Sequence, residues 1–228
     1  MSEMKPICKI LLFLIPVTTI LVGCNKGKFD GTGYKVIEFQ DAKFKNKLLD
    51  IAGVDQNGDG EISFCEITLI TDVDCSGAGI THATELRLCW NATTIDFTGN
   101  NVSDELKLSK LFRLETADFS GNSIKGTFDI SQLQKLTEIN LGNNKITSIV
   151  ANGATMLTKA YLGSNNISGE VDMRKLTNLS ELDLSNNPGI TKLILHEAYM
   201  TNPGLLTLSV DAGVELEYRD NEDRIVTP

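Results

Sequence analysis

Six oxygen atoms that could bind a metal ion lie in one short polar stretch, DQNGDGEISFCE, which spans residues 55–66 and includes two glycines. Aspartate, asparagine, serine and glutamate side chains, together with a backbone carbonyl, are the hard oxygen ligands that calcium takes in proteins. The donors are Asp55, Asn57, Asp59, the carbonyl of Glu61, Ser63 and Glu66. Their types and close spacing predict a calcium site.

The spacing of these donors resembles the loop of an EF-hand. The pattern D-x-[DN]-x-[DN]-G-x5-E is met without exception, with Gly60 at the sixth position, where the loop turns sharply. The resemblance implies that Glu66 binds calcium bidentately and that Ser63 binds through water. A metal-free alternative covers part of the loop, because Ser63 and Glu66 are also spaced as a capping box. Capping does not explain the carboxylates crowded before the glycine, which repel one another unless a cation screens them.

The segments around the loop predict one hand that closes the end of a larger structure. Upstream, DAKFKNKLLDIAG places Phe44, Leu48 and Ile51 at helical spacing behind Asp41, which can cap the helix. Downstream, a repeat pattern begins directly after the loop and leaves no room for a second hand. We therefore predict a calcium-stabilised cap over residues 39–69. A dockerin-like assembly role is the alternative, although dockerins resemble a duplicated calcium segment.

Most of the remaining chain repeats every 21 or 22 residues. Successive copies read ATTIDFTGNNV, LETADFSGNSI, LTEINLGNNKI, LTKAYLGSNNI and LSELDLSNNPGI. They resemble the leucine-rich repeat, L-x-x-L-x-L-x-x-N-x-L, in which each xxLxL segment is a strand of a curved parallel sheet. We predict about seven repeats over residues 70–212, starting at positions 70, 92, 114, 136, 157, 179 and 205. A C-terminal cap and tail then occupy residues 213–228.

Further patterns predict how each repeat is completed. The recurring asparagines can satisfy backbone groups where each strand turns and form a ladder between repeats. The segments DELKLS, GTFDIS and GEVDMR alternate with period two, which predicts strands on the convex side. The predicted fold class is a leucine-rich-repeat solenoid with a short curved parallel β-sheet, a convex side of short strands and turns, and a small N-terminal helical cap. The low aromatic content predicts an aliphatic core.

The first residues predict a secreted, lipid-anchored protein. Two lysines precede an apolar run over residues 10–22, which is too short to span a bilayer and leads into LVGC. This pattern predicts a lipoprotein signal peptide over residues 1–23, lipid attachment at Cys24 and a tether over residues 24–38. The expected location is the cell envelope, at the outer membrane or the cell surface. Whether the protein is displayed on the surface or in the periplasm stays open.

Charge and motif content argue against several classes of function. The formal net charge is −9, and it falls to −10 without residues 1–23, which carry a net charge of +1. Phosphate repels an acidic chain, so we expect no nucleic-acid partner. No H-E-x-x-H, G-x-S-x-G or phosphate-loop motif occurs, so we expect no enzyme. Cys65, Cys75 and Cys89 follow the lipid-attachment position and can form at most one disulfide among themselves.

The strand residues that point away from the core predict columns on the concave face. The central column reads Asp74, Asp96, Asp118, Asn140, Tyr161, Asp183 and Ser209. The flanking residues are Asp72, Glu115, Glu138, Lys159 and Glu181.

This acidic face fits a protein or peptide partner with basic groups, with Tyr161 as the anchor. A merely solvated face and a glycan-binding face are the alternatives. The repeats resemble those of internalin-like bacterial surface lipoproteins, and this resemblance implies recognition of a protein partner. We expect the protein to be monomeric.

Overall fold

The computed structural model describes residues 34–227, which form a solenoid with a seven-stranded parallel sheet on its concave face. Its strands, in their spatial order, are β1 Asp72–Asp74, β2 Thr94–Asp96, β3 Thr116–Asp118, β5 Glu138–Asn140, β7 Lys159–Tyr161, β9 Glu181–Asp183 and β11 Thr207–Ser209. The predicted fold class is confirmed. The predicted lipoprotein signal and the predicted lipid attachment at Cys24 lie outside the described residues.

Each concave strand has three residues, and its middle side chain points into the core. In the first three strands these residues are Val73, Ile95 and Ala117, which are 2–4% exposed. The parallel register pairs Val73 with Ile95 and Ile95 with Ala117. Side chains on either side of the middle residue face away from the core because successive strand residues alternate between faces. The repeat period therefore stacks equivalent residues into columns.

The convex side also carries parallel strands. They are β4 Lys125–Asp129, paired with β6 Lys145–Val150, and β8 Ser168–Asp172, paired with β10 Gly189–His196. The segment DELKLS differs from the prediction. Leu106 and Leu108 are buried, but residues 104–108 form no strand. The preceding repeat has a 3-10 helix, Thr84–Leu88, on this side and so offers no strand for pairing.

The asparagines form a hydrogen-bonded ladder between repeats. Nδ2 of Asn144 donates to the carbonyls of Leu141, at 3.1 Å, and of Phe119 in the preceding repeat, at 2.9 Å. Its Oδ1 accepts from the N–H of Ile124 at 3.0 Å. Equivalent contacts are made by Asn100, Asn122, Asn165 and Asn187. Each asparagine thus satisfies buried backbone groups in two successive repeats.

The N-terminal helix, α1, spans Ala42–Leu49 and buries Phe44 and Leu48. Helix formation was predicted, but Ile51 lies beyond the end of α1 and is only partly buried. The ordered cap also begins earlier than residue 39. Val36 is 5% exposed and forms an isolated antiparallel bridge with Ser63, so part of the segment predicted as tether packs onto the cap.

A row of phenylalanines runs through the N-terminal half of the core. Phe44 lies 5.3 Å from Phe97 between ring centroids, and the row continues to Phe119 and Phe128 in steps of 5.8 Å. All four side chains are at most 2% exposed. The prediction of an aliphatic core is therefore wrong for this half, because Phe97 and Phe119 occupy repeat positions that later copies fill with leucine.

The C-terminal end has more secondary structure than the sequence predicted. Helix α2, Glu197–Thr201, follows β10. Strand β12, Glu215–Arg219, pairs in parallel with β10, and β13, Ile225–Val226, pairs antiparallel with β12. The segment predicted as a C-terminal cap and tail, residues 213–228, thus adds two strands to the convex side.

Candidate functional site

The first half of the predicted calcium loop is a tight turn organised by Asp55. Its Oδ1 accepts from the N–H of Gly58 at 2.8 Å, and its Oδ2 accepts from the N–H of Gly60 at 3.0 Å. Gly58 and Gly60 have φ angles of 72° and 71°. This left-handed conformation favours glycine because a Cβ would be strained there. The glycine expected at the sixth position of the loop therefore has a conformational cause.

Two more of the predicted calcium ligands close the next turns of the loop by accepting hydrogen bonds. Asn57 Oδ1 accepts from the N–H of Asp59 at 3.0 Å, and Asp59 Oδ1 accepts from the N–H of Glu61 at 2.8 Å. The carboxylate of Glu61 points back to α1, where it pairs with Nζ of Lys45 at 2.7 Å. The loop is thus fastened to the helix that precedes it.

The last two predicted calcium ligands, Ser63 and Glu66, are buried, with 0% and 3% of their surface exposed. Glu66 Oε2 accepts from the N–H of Ser63 at 2.9 Å and from its Oγ at 2.8 Å. The N–H of Glu66 in turn donates to Ser63 Oγ at 3.4 Å, which forms the reciprocal capping box. Glu66 Oε1 accepts from the N–H of Gln56 at 2.8 Å. The buried carboxylate therefore ties the end of the loop to its beginning.

The donor set has the chemistry that calcium requires, since every predicted ligand is an oxygen. Within residues 34–227, however, no three His, Cys, Asp or Glu side chains lie close enough together to hold a metal ion. The carboxylates of Asp55 and Glu66 are turned onto backbone N–H groups of the loop instead. The capping box uses Ser63 and Glu66, which are also two of the six predicted calcium ligands.

The cap is anchored to the repeats through Asp41, which precedes α1. Asp41 Oδ1 accepts from the N–H of Lys43 at 2.8 Å and so caps the helix. Its Oδ2 accepts from the N–H and Oγ1 of Thr81, at 2.7 and 2.9 Å. Burial raises the pKa of Asp41, but these hydrogen bonds outweigh it and lower the pKa to about 2. One carboxylate therefore holds both the helix and the repeat array.

On the concave face, the register brings the predicted column together. Asp74 pairs with Asp96 and Asp96 with Asp118, and the column continues through Asn140 and Tyr161. Asp183 and Ser209 complete it. Of the predicted flanking residues, Asp72, Glu138, Lys159 and Glu181 share the adjacent column, whereas Glu115 lies just before β3.

The first four strands of this face border a shallow depression of about 480 Å³. Five carboxylates line it, and its lining includes no lysine or arginine. They belong to Asp72, Asp74, Asp96, Asp118 and Glu138.

Comparison with known proteins agrees with this geometry. Residues 113–152 match the family model for leucine-rich repeats (2 copies). Among solved structures, the functional domain of InlJ from Listeria monocytogenes, which includes a cysteine ladder, is 26% identical with a TM-score of 0.53. The chain folds as a leucine-rich-repeat solenoid. The InlJ match covers 70% of this chain, which spans only 38% of the length of that one.

Two further leucine-rich-repeat matches are more distant. Internalin C2 from Listeria monocytogenes is 16% identical with a TM-score of 0.37, and the match covers 76% of this chain and 94% of that one. The plant peptide hormone receptor RGFR1, solved in complex with RGF2, is 15% identical with a TM-score of 0.35, covering 62% of this chain and 35% of that one. No curated protein sequence matches the chain.

Within the leucine-rich-repeat framework, the aspartate column has a structural task that sequence reasoning missed. Oδ1 of Asp96 accepts from the N–H of Thr98 at 2.8 Å, and Oδ1 of Asp118 accepts from the N–H of Ser120 at 2.8 Å. Asp74 and Asp183 make the same bond two residues downstream. The recurring D-x-[ST] spacing was the available signal, because aspartate closes such turns.

Tyr161, the predicted anchor, is held by a neighbour on the same face. Its hydroxyl donates to Oε2 of Glu181 at 2.7 Å. This hydrogen bond, with burial and the negative charges of Glu181 and Glu138, raises the pKa of Tyr161 to about 12. The ring is partly buried. The leucine-rich-repeat face therefore presents a fixed aromatic edge next to carboxylates.

The cysteines and histidines of the array have packing or capping roles. Cys75 and Cys89 are free thiols at 0% exposure, and burial raises the pKa of each to about 12. Nδ1 of His82 lies 2.9 Å from Oδ1 of Asp104. Nδ1 of His196 accepts from the N–H of Ala198 at 3.1 Å and caps α2. The two thiols are therefore protonated at neutral pH and unsuited to nucleophilic chemistry.

The predicted lipid attachment at Cys24 falls outside residues 34–227. No helix among those residues has the length and apolar character needed to cross a bilayer.

Proposed function

We propose that this protein is a binding scaffold whose concave face recognises a basic segment of a protein or peptide. The observation that carries this proposal is the depression on the first four strands. It is lined by five carboxylates, and no basic side chain lies among its lining residues. Lysine and arginine side chains complement such a surface and are steered towards it.

The hydrogen bonds of the face support this role. The turn-closing bonds use Oδ1 of Asp96 and of Asp118, and Oδ2 of Asp118 accepts from Nδ2 of Asn140 at 2.9 Å. The carboxylates are therefore held in position before any partner arrives, which lowers the entropy lost on binding. Tyr161, fixed by Glu181, supplies an aromatic contact at the far side of the acidic patch.

Selection from a random peptide library displayed on phage tests this proposal. We expect peptides selected on the full-length protein to be rich in lysine and arginine. They should bind at least tenfold more weakly to the double variant Asp96→Asn/Glu138→Gln. Asparagine keeps the Oδ1 acceptor, so the turn after β2 stays closed while the charge is lost.

The matched control is Asp129→Asn/Glu170→Gln, which removes two exposed carboxylates from the convex side. Asp129 also closes a turn, through the N–H of Ser131 at 2.8 Å. Equal losses for both double variants would show that only net charge matters and would overturn the assignment to the concave face. Selected peptides without basic residues would overturn the predicted chemistry of the partner.

We further propose that calcium strengthens the N-terminal cap through Asp55, Asn57, Asp59, the carbonyl of Glu61, Ser63 and Glu66. The spacing of these donors and the positive φ of Gly60 support this assignment. Calcium would screen carboxylates that otherwise compete for backbone donors, and the loop is already fastened to α1 by Lys45.

Thermal unfolding in EDTA and in millimolar calcium tests the metal proposal. At ten times the dissociation constant, a site present only in the folded state adds about 1.4 kcal/mol and raises the melting temperature by about 3–6 °C. Asp55→Asn should abolish the rise, because the pattern requires aspartate at the first position, while asparagine keeps the Oδ1 acceptor for Gly58 and leaves the Ser63–Glu66 capping box intact. An unchanged melting temperature, together with no heat of calcium binding, would disprove the site.

The cellular setting is the remaining part of the proposal. The sequence LVGC at the end of the apolar run supports lipid attachment at Cys24 and a location in the cell envelope. Mass spectrometry of the protein from membranes tests it. A diacylglyceryl adduct on Cys24, absent from Cys24→Ser, is the expected result, and an unmodified Cys24 in membrane-derived protein would contradict it.

A further inference from the structure

One edge of the solenoid is basic although the chain as a whole is acidic. This basic edge consists of the turns that lead into the concave strands of five successive repeats. The turns span residues 86–92, 108–114, 130–136, 151–157 and 173–179. They contain six lysines or arginines and no aspartate or glutamate, in a chain with a formal net charge of −9.

Equivalent backbone hydrogen bonds shape these turns, so their side chains stack in rows. In one turn, the N–H of Leu111 donates to the carbonyl of Leu108 at 2.9 Å, and the N–H of Leu114 donates to the carbonyl of Leu111 at 3.0 Å. The same pair of bonds recurs in the turns before and after it. Leu111 is 0% exposed, whereas the next two residues, Phe112 and Arg113, are exposed.

Large apolar side chains lie exposed among the basic ones. Phe112 is 56% exposed, and Met156, two repeats further along the edge, is 52% exposed. Trp90 occupies the position equivalent to Phe112 in the preceding repeat and is partly buried. The edge therefore presents exposed apolar side chains as well as basic ones.

The basic side chains beside them are available to a partner. Lys110, Arg113 and Lys135 are exposed, and none of them takes part in an ion pair found among residues 34–227. Arg174, further along the edge, differs because it pairs with Asp172 at 3.1 Å. Lys110, Arg113 and Lys135 therefore lie in the same repeat as Phe112 or in the next one.

We propose that the basic edge docks on an anionic lipid surface, with Phe112 and Met156 entering the headgroup region and the lysines and Arg113 contacting lipid phosphates. Cationic residues interleaved with exposed apolar ones are the composition that binds such an interface. The acidic concave face is repelled by the same lipids, which fixes the orientation. The solenoid then lies on its edge, and the concave face opens sideways to a partner.

Trp90 provides the test, because it is the only tryptophan in the chain and lies on the basic edge. The full-length protein is mixed with vesicles of phosphatidylcholine alone or of phosphatidylcholine with phosphatidylglycerol. We expect a blue shift of Trp90 emission, and quenching by brominated lipid, only with the anionic vesicles and only at low salt. An apolar N-terminal segment that inserts into both vesicles contributes no tryptophan signal.

Charge variants locate the contact. Lys110→Gln/Arg113→Gln/Lys135→Gln should weaken docking about 100-fold, since each charge near an anionic surface contributes about a factor of five. The matched control, Lys35→Gln/Lys125→Gln/Lys145→Gln, removes three exposed charges away from the basic edge and should leave the blue shift intact.

Three results would overturn the proposal. One is an equal Trp90 response to both kinds of vesicle, and another is an equal loss in the control variant. The third is the same blue shift with soluble polyglutamate and no vesicles, which would assign the edge to an acidic polymer instead of a lipid surface.

Discussion

The rings of Phe44 and Phe97 meet edge to face, with centroids 5.3 Å apart and an interplanar angle of 70°. Phe44 belongs to the N-terminal helix and Phe97 follows β2, so the cap and the repeat array share one hydrophobic core. Both side chains are 0% exposed. The cap is therefore expected to unfold together with the first repeats.

Phe44→Ala should destabilise the protein by about 3–5 kcal/mol, because it removes a buried ring from the contact that joins cap and array. Urea unfolding followed by circular dichroism measures the loss. Phe112→Ala is the control, since its ring is 56% exposed and its removal should change the free energy of unfolding by no more than about 0.5 kcal/mol. Similar losses for the two variants would contradict the joined core.

Asp41→Asn should reduce stability in a pH-dependent way. The pKa of Asp41 in the folded protein is lowered from 3.8 to about 2. The carboxylate therefore stabilises the fold above about pH 4, and this contribution is lost as the pH falls towards 2. We expect the difference in unfolding free energy between wild type and variant to be largest at neutral pH and smaller at pH 3. A difference that does not change with pH would contradict the assigned bonds.

The sequence predicted those features whose signal is local. The xxLxL spacing identified the strands of the concave sheet, and the donor spacing identified the N-terminal loop. The sequence did not predict the phenylalanine row. Phe97 and Leu141 fill the same repeat position, and local spacing does not distinguish how the two side chains pack. The bond from Thr81 to Asp41 was also missed, since it joins residues 40 positions apart. The basic edge appears only once the turns are stacked in register.

Asn144→Ala should cost about 2–5 kcal/mol, because it leaves the buried N–H of Ile124 without a partner and removes one of the two amide hydrogen bonds that the carbonyls of Leu141 and Phe119 each accept. Asn144→Asp keeps the acceptor for Ile124 but loses both donated bonds, so it should also destabilise. Asn101→Ala is the matched control, because Asn101 is an exposed asparagine outside the ladder. Chemical denaturation ranks the three variants, and comparable stability of the first and third would contradict the ladder.

Asp211 ends the asparagine ladder, and its loss should loosen the last turn. Its Oδ1 and Oδ2 accept from the N–H groups of Asn186 and Asn187, each at 2.7 Å. Asn186 has a φ of 56°, a conformation that these bonds help to hold. In Asp211→Ala we expect faster hydrogen exchange at the amides of Asn186 and Asn187, with exchange around Asn122 unchanged. Unaltered exchange at both amides would argue against this terminating role.

Gly153, in the turn before β7, lies against the backbone of the preceding repeat. A Cβ at this position would overlap the carbonyl oxygen of Ser131, so an alanine can be accommodated only if the backbone moves. Gly153→Ala should therefore cost at least about 1–3 kcal/mol. Gly204→Ala is the control, because a Cβ there meets nothing within 4 Å and restricts the unfolded chain. Urea midpoints should fall for the first variant and stay level or rise for the second. The reverse order would mean that the two repeats can separate without loss.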